Sequence, residues 1–372
     1  MKYNIRPPDS WIKTHEKVKD IDLFLKIMNQ YEDSNTLFKL IQKDGNVKEL
    51  KKDYCIKQIQ ALSSQIYEKL IKYKKNRQIK IFAVIGSSEE SIILMLSSLF
   101  LSAHHCICFE DLSEDVIIKR VEIFAPDIIL CRKNTEDKVK KAIRKSLYKK
   151  TPLLSIDLRF PFVKLISKEY LTKETYSYKT NSNLFTLFTS GSTGLPKAVT
   201  HGLKNYIEYA QFTTSYFFGI KKGSTIFTAT DAGWINGHTY AFYGPLLLGA
   251  KSVFNENPAY LSFPKNLVNC LIKTQPDCFY TSVTLLRLLR SLVPSGKSIL
   301  DFSEIDISLE RVGSCGEPLA HSVGDWAIKF FKPKRTSIVN TYFQTETGGV
   351  LVAPRDEDSA PSDYSCVGKP RI

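Results

Sequence analysis

The chain has 372 residues, is 43% hydrophobic and 12% aromatic, and carries a formal charge of +14. That size and composition exclude a disordered tract and a small disulfide scaffold, and leave room for two or three domains with cores of their own. The excess of Lys and Arg falls in amphipathic runs with no helix-turn-helix, zinc-finger or RNA-recognition pattern, so it reads as a soluble surface and no nucleic-acid partner is expected.

Residues 1–35 start polar, with a Pro pair and no secretory leader, and read as an N-terminal extension with one or two helices. Residues 54–75 have helical periodicity. An alternating order follows: a strand over 79–86, a helix over 89–103, a short strand at "CICF", a helix over 113–125 and a strand over 127–131. Such alternation predicts a mostly parallel sheet covered on both faces. In "KVKKAIRKSLYKK" (138–150), Val139, Ile143 and Leu147 recur every four residues and predict an amphipathic surface helix. The longest apolar stretch (91–103) is too short to cross a bilayer and contains four Ser, so no membrane span is expected. Eight scattered Cys imply reduced thiols and a cytoplasmic protein. "HHCICF" (104–109) reads as the entry to a buried strand and not as a metal site.

A looser stretch (160–183) ends in "YKTNSN", an exposed connector. Beyond it a second α/β system is expected: helices over 206–219, 238–248, 264–274, 284–293 and 320–332, and strands over 224–231, 251–256 and 277–283. The units "LERVGSCGEP" (309–318) and "SIVNTYFQTETGG" (337–349) complete it. The expected division is an extension (1–35), a first α/β subdomain (36–183) and a second (184–372) carrying the site.

The second system opens on "LFTLFTSGSTGLPKAVTHG" (184–202). In a Walker loop, Lys follows Gly directly and a helix begins there. Here Gly194 is followed by Leu195, Pro196 and Lys197, and both flanks carry β-formers, so the loop joins two strands. Gly191 and Gly194 let backbone N–H groups turn inward as an anion nest. Thr189, Ser190, Ser192 and Thr193 add hydroxyl donors, and Lys197 adds a mobile positive charge. The loop suits a polyphosphate.

"TSGSTGLPK" resembles the signature of the adenylate-forming (AMP-binding) superfamily, and three later segments follow in that family's order. "DAGWINGHTYAFYGPLLLGA" (231–250) resembles the acetyl-CoA synthetase, or short-chain acyl-CoA synthetase, branch; "GSCGEP" (313–318) and "NTYFQTETGG" (340–349) resemble its nucleotide-site motifs. The resemblance covers about residues 36–372. It implies the layered αβαβα fold of the family's large N-terminal domain, with mostly parallel sheets. It further implies a ligase that makes an acyl-adenylate from ATP and a short carboxylic acid, then transfers the acyl group to CoA.

By the same resemblance, Thr189, Ser190, Gly191, Ser192, Thr193, Gly194 and Lys197 hold the phosphates of ATP. Gly316, Glu317 and Pro318 line adenine. Asn340, Thr341, Tyr342, Phe343, Gln344 and Thr345 contact adenine and the α-phosphate, and Glu346 holds Mg²⁺. Lys197, Thr345 and Glu346 are the catalytic candidates. Trp234, Ile235, Asn236, Gly237, His238, Cys315 and Phe343 belong to the acyl and CoA pocket. Phe343 stands where the acetyl branch has Trp, which deepens the floor. Asn236 stands where it has Thr and implies a contact to CoA or to a polar acid, hydroxy or keto. Asn340 replaces an Asp, and "NPAYLS" (257–262) replaces a segment that helps bind CoA. No Thr-Gly-Asp occurs, and the chain stops at "CVGKPRI". The third subdomain and C-terminal lid are therefore expected to be absent, the chain being a fragment of a ligase. The alternatives are an adenylating enzyme with another thiol acceptor and a non-catalytic nucleotide-binding remnant.

Overall fold

The computed structural model describes residues 23–70, 77–158, 182–190, 195–293, 307, 309–335, 337–354 and 367; of Ser190 it describes the backbone. Thirteen strands in the described residues form two sheets. The six-stranded sheet is built from β3 (Lys80–Val84), β4 (His104–Cys108), β5 (Ile128–Arg132), β6 (Leu153–Ile156), β7 (Asn183–Ser190) and β8 (Pro196–Gly202), in the order β6-β5-β3-β4-β7-β8. The seven-stranded sheet takes β1 (Thr36–Ile41), β2 (Val47–Lys51), β9 (Thr225–Thr228), β10 (Lys251–Asn255), β11 (Cys278–Ser282), β12 (Arg311–Cys315) and β13 (Ile338–Asn340), in the order β13-β12-β11-β9-β10-β1-β2. Pairing is parallel except in the β1/β2 and β7/β8 hairpins. The parallel strands "KIFAV", "IILCR" and "CFYTS" are nearly continuous apolar runs because both their faces are covered.

The helices lie in three layers. α4 (Glu114–Phe124) and α5 (Glu136–Lys145) bury Ile117, Val121, Phe124, Val139 and Ile143 against Phe82, Val84 and Ile129 on the outer face of the six-stranded sheet. α9 (Pro264–Thr274), α10 (Val283–Leu292) and α11 (His321–Phe331) bury Leu267, Leu286 and Trp326 against Phe227, Phe279 and Val312 on the outer face of the other. Between the sheets lie α1 (Leu23–Met28), α2 (Lys52–Leu70), α3 (Glu89–Phe100) and α6 (Leu203–Phe218). With them lies a continuous helical segment: α7 (Ile235–His238), a π turn (Thr239–Tyr243) and α8 (Gly244–Leu247). Their cluster takes residues from both sheets, Leu37 and Phe38 from one and Ile81 and Ala83 from the other. This is the layered αβαβα arrangement expected from the sequence. No described helix is long and apolar enough to cross a membrane.

Four sequence expectations need adjustment. Leu147 does not continue the apolar stripe of α5: the helix ends at Lys145, Ser146 turns to extended backbone, and Leu147 is 85% exposed. Residues 36–51 and 153–156 form strands the sequence reading left unassigned, because their apolar faces are completed by partners far along the chain. Residues 23–31, assigned to the extension, are docked: Leu23, Phe24 and Ile27 are buried, and Tyr31 O–H donates to Ala250 O at 2.7 Å. The sheets also cross the division expected at 183/184, since β1 and β2 join the later strands and β7 and β8 join the earlier ones.

The strand order places the site. From β9 the seven-stranded sheet grows one way through β10 and the other through β11, β12 and β13. Such a switch point opens a crevice at the carboxyl ends of the strands, where ligands bind in open α/β sheets. The loop after β9 and the ends of β12 and β13 carry three of the four sequence motifs.

Candidate nucleotide and acyl site

The β7/β8 hairpin carries the first motif. Thr189 pairs with Lys197 and Ser190 with Pro196, so the Gly-rich loop joins two antiparallel strands as read from the sequence. Gly191, Ser192, Thr193 and Gly194 lie outside the described residues. Lys197 leaves the loop with its side chain 62% exposed, and its Nζ donates to Glu346 Oε1 at 3.1 Å.

Glu346 sits on a 3₁₀ turn, Thr345–Thr347, beyond β13. His201, two turns of the pleat along β8 from Lys197, donates through Nε2 to Thr345 O at 2.7 Å and fixes that turn to the hairpin. Gly348 closes it at φ +75°, where a Cβ would lie 3.1 Å from His201 and from the Tyr206 ring. Only Gly combines that dihedral with that approach. A backbone N–H and the Lys197 ammonium hold the Glu346 carboxyl below its ordinary range, so it is ionised at neutral pH. An ionised, exposed carboxylate is the kind of oxygen ligand that a hard divalent ion such as Mg²⁺ takes.

The second cluster is the Gly-Glu-Pro turn after β12. Gly316 adopts φ +89°, and no atom lies within 4 Å of where its Cβ would stand. The turn is stapled to α10: Glu317 accepts from Thr284 Oγ1 at 2.6 Å and from Arg287 Nη1 at 2.6 Å, and Arg287 Nη2 donates to Pro318 O at 3.2 Å. The flat backbone of Gly316 therefore faces open space on a fixed platform.

The third cluster links β11, β12 and β13. Thr341 Oγ1 donates to Ser314 O at 2.7 Å and accepts from Tyr280 O–H at 2.7 Å. Asn340 Oδ1 accepts from Ser314 Oγ at 3.1 Å, and both residues are buried. These side chains hold the ends of the strands together. Tyr342, half exposed, bridges to Val352, and Gln344 is exposed beside it. Phe343 packs edge-on against Tyr240 at 6.2 Å.

The fourth cluster follows β9. Asp231 accepts from Ser87 N–H at 3.1 Å and from Gly233 N–H at 2.7 Å, and Ala232 N–H donates to Ser87 Oγ at 2.8 Å, which ties this loop to the loop after β3. Burial pushes the Asp231 carboxyl up. Trp234 is 54% exposed, with its ring 5.4 Å from Phe109. Ile235 is buried. Gly237 is obligatory, since a Cβ would stand 2.3 Å from Asp231 O. Asn236 Nδ2 donates to Cys315 Sγ at 3.1 Å, joining the loop to the end of β12.

The structure thus brings Lys197 to Glu346 and Asn236 to Cys315, and it does not place His238 among lining groups. His238 is fully buried, with Nε2 3.2 Å from His105 Nε2 and Nδ1 3.3 Å from Trp234 O. Burial holds it at about 3, so it is neutral. Its apolar, ring-lined surroundings make it a support for the Trp234 loop. His201, Asp231 and Tyr240 escaped the sequence reading because each acts through a distant partner; the only sequence signal was their position inside or beside a motif. A cavity of about 270 Å³ opens at the carboxyl ends of β9, β10 and β11, lined in part by Thr230, Asn255, Ser282 and Thr284 and by Pro258 and Leu261 of the 257–262 segment.

The model of the family described as AMP-binding enzyme matches residues 58–371. Acetyl-coenzyme A synthetase 2 of Debaryomyces hansenii is 32% identical over 305 residues, 76% of this chain and 43% of that protein. Acetyl-coenzyme A synthetase 2 of Candida albicans is 41% identical over 179 residues, 48% of this chain and 26% of that protein. The chain spans less than half the length of these relatives. Among solved structures, an acyl-CoA synthetase of Brucella canis matches with a TM-score of 0.72 and 18% identity, over 92% of this chain and 61% of that one, a likeness of fold.

Proposed function

The chain belongs to the AMP-binding enzyme family, and on that premise we propose that it serves the ATP-dependent activation of a short carboxylic acid to an acyl-adenylate, with a thiol, CoA, as the acceptor. The observation that carries the reading is the meeting of Lys197 and Glu346 at the mouth of the β7/β8 loop. One group is suited to phosphate oxygens and the other to the metal that accompanies them.

In this reading the loop 190–194 and Lys197 hold the triphosphate, and adenine lies on the open backbone of Gly316, Glu317 and Pro318. Glu346 and Thr345 face the α-phosphate. Glu346 would hold Mg²⁺, which when bound would supply neutralisation of charge on the phosphate oxygens. The acid lies between Trp234, Asn236, Cys315 and Phe343. Its carboxylate oxygen attacks the α-phosphorus, the bond from that phosphorus to the bridging oxygen breaks, and pyrophosphate leaves with the electron pair. The thiol then attacks the acyl carbon, the bond to the AMP oxygen breaks, and the thiol proton passes to solvent. The cavity at β9–β11 is where we place the acceptor, because the 257–262 segment lines it. Little covalent work falls to the protein; it positions reactants and stabilises charge.

Acid-dependent exchange between ATP and labelled pyrophosphate tests this. Exchange supported by acids of two to four carbons is expected. Exchange confined to long-chain fatty acids or amino acids would overturn the substrate assignment, and ATP binding without exchange for any acid would favour a nucleotide-binding remnant.

A further inference from the structure

We propose that the acid carries a hydroxyl group, held as a hydrogen-bond donor by the amide oxygen of Asn236; the proposal rests on the adenylation reading and narrows its substrate. The argument begins at Cys315. Its S–H donates to Thr281 O at 3.4 Å. Burial pushes the thiol up to about 11, so the proton stays on sulfur. A thiol has one proton, and with it committed to a carbonyl the sulfur can only accept. The Asn236 group 3.1 Å from Sγ is therefore the amide NH₂. That sets which end of the amide points where. Oδ1 faces the other way, buried and without a hydrogen-bond partner among the described residues.

A buried carbonyl oxygen is normally satisfied. No donor among the described residues reaches it. Cys315 lies in an apolar cluster with Tyr240, Tyr280, Val339 and Val350, and Phe343 packs at its margin. The two phenols are engaged: Tyr240 O–H donates to Thr213 Oγ1, and Tyr280 O–H donates to Thr341 Oγ1. An alkyl acid would leave Oδ1 unpaired, and a keto acid would set a second acceptor against it. A hydroxy acid supplies the missing donor. The structure thus separates readings that the residue type alone left open.

The test is calorimetric titration of the full chain with adenosine 5′-sulfamates acylated by propionyl, 2-hydroxypropionyl, 3-hydroxypropionyl and 2-oxopropionyl groups, with AMP alongside. One hydroxyacyl analogue is expected to bind about tenfold or more tightly than the propionyl analogue. Asn236→Leu, of similar shape, is expected to erase that ratio while AMP binding persists. Cys315→Val, which frees the amide to turn over, is expected to narrow the preference for hydroxyl over oxo. Equal binding of hydroxyacyl and propionyl analogues, tighter binding of the oxo analogue, or a ratio surviving in folded Asn236→Leu would each overturn the proposal and leave adenylation standing. Failure of AMP and every analogue to bind would overturn the adenylation reading, and the proposal with it. The wild-type ratio decides the matter even if a variant does not fold.

Discussion

Lys197 Nζ lies 3.1 Å from Glu346 Oε1, although the two residues are 149 positions apart. Neither belongs to a core: Lys197 is 62% and Glu346 42% exposed. An ion pair this open contributes about 0–1 kcal/mol to stability. Its place at the mouth of a Gly-rich loop is not explained by folding. Lys197→Ala and Glu346→Gln are expected to leave the melting temperature within a few degrees of the parent. The same changes are expected to lower acid-dependent pyrophosphate exchange by about 10²–10³-fold, the usual cost of removing one charge-stabilising group. Parallel loss of stability and exchange would instead assign the pair a structural role.

Gly316 and Gly223 form a natural control. Both have positive φ, +89° and +85°, and neither has an atom within 4 Å of its missing Cβ. Ala at either position is strained by about 1–2 kcal/mol from the left-handed backbone. Only Gly316 lies on the proposed adenine platform. Gly316→Ala is expected to weaken ATP binding by calorimetry beyond any loss of stability, whereas Gly223→Ala loses stability alone.

Tyr240, in the π turn, is one of the contacts between the inner helix and the segment that presents Glu346. Val350 N–H donates to its hydroxyl at 2.6 Å, and the hydroxyl donates onward to Thr213 Oγ1 at 3.1 Å. Tyr240→Phe keeps the ring and orphans a buried N–H, at a cost of about 1–3 kcal/mol. A lower urea midpoint is expected, with amide exchange at Val350 accelerated more than at β3, whose hydrogen bonds are untouched.

The buried histidines contribute to the acid limb of stability. His104 is held at about 3 by burial and by nearby Lys80, and His238 at about 3 by burial, against an ordinary value of 6.5. Burial lowers His105 and His201 in the same sense. In the folded state the His104 and His238 rings are neutral at pH 5, and on unfolding below pH 6.5 they take up protons. Stability therefore falls as pH falls from 6.5 towards 3. At pH 5 the linkage amounts to about 2 kcal/mol for each of His104 and His238. Urea unfolding at pH 7 and pH 5 should show the midpoint dropping, and His238→Phe, less stable at pH 7, should show a shallower drop.

How much of this was legible differs by element. Strands such as "KIFAV" and "IILCR" announce themselves because a parallel strand covered on both faces must be apolar throughout. α5 was legible as a helix but not in its length. Its four-residue spacing runs on to Leu147, while Ser146, bonded through its hydroxyl to Ile143 O, has already left the helix. β1 and β2 were hidden because Phe38 and Leu40 become a buried face only when β1 pairs with β10.

By itself the sequence determined the alternation of strand and helix, the strand–loop–strand setting of the Gly-rich motif and the order of the four motifs, because these follow from short-range pattern and backbone freedom. Only the tertiary structure decided that Lys197 meets Glu346, that His238 turns inward to His105, and that the Asn236 amide is oriented by Cys315. Each of these is a contact between strands or loops whose neighbours are set by the fold. Charge, burial and hydrogen-bond direction belong to the pair and not to either residue alone.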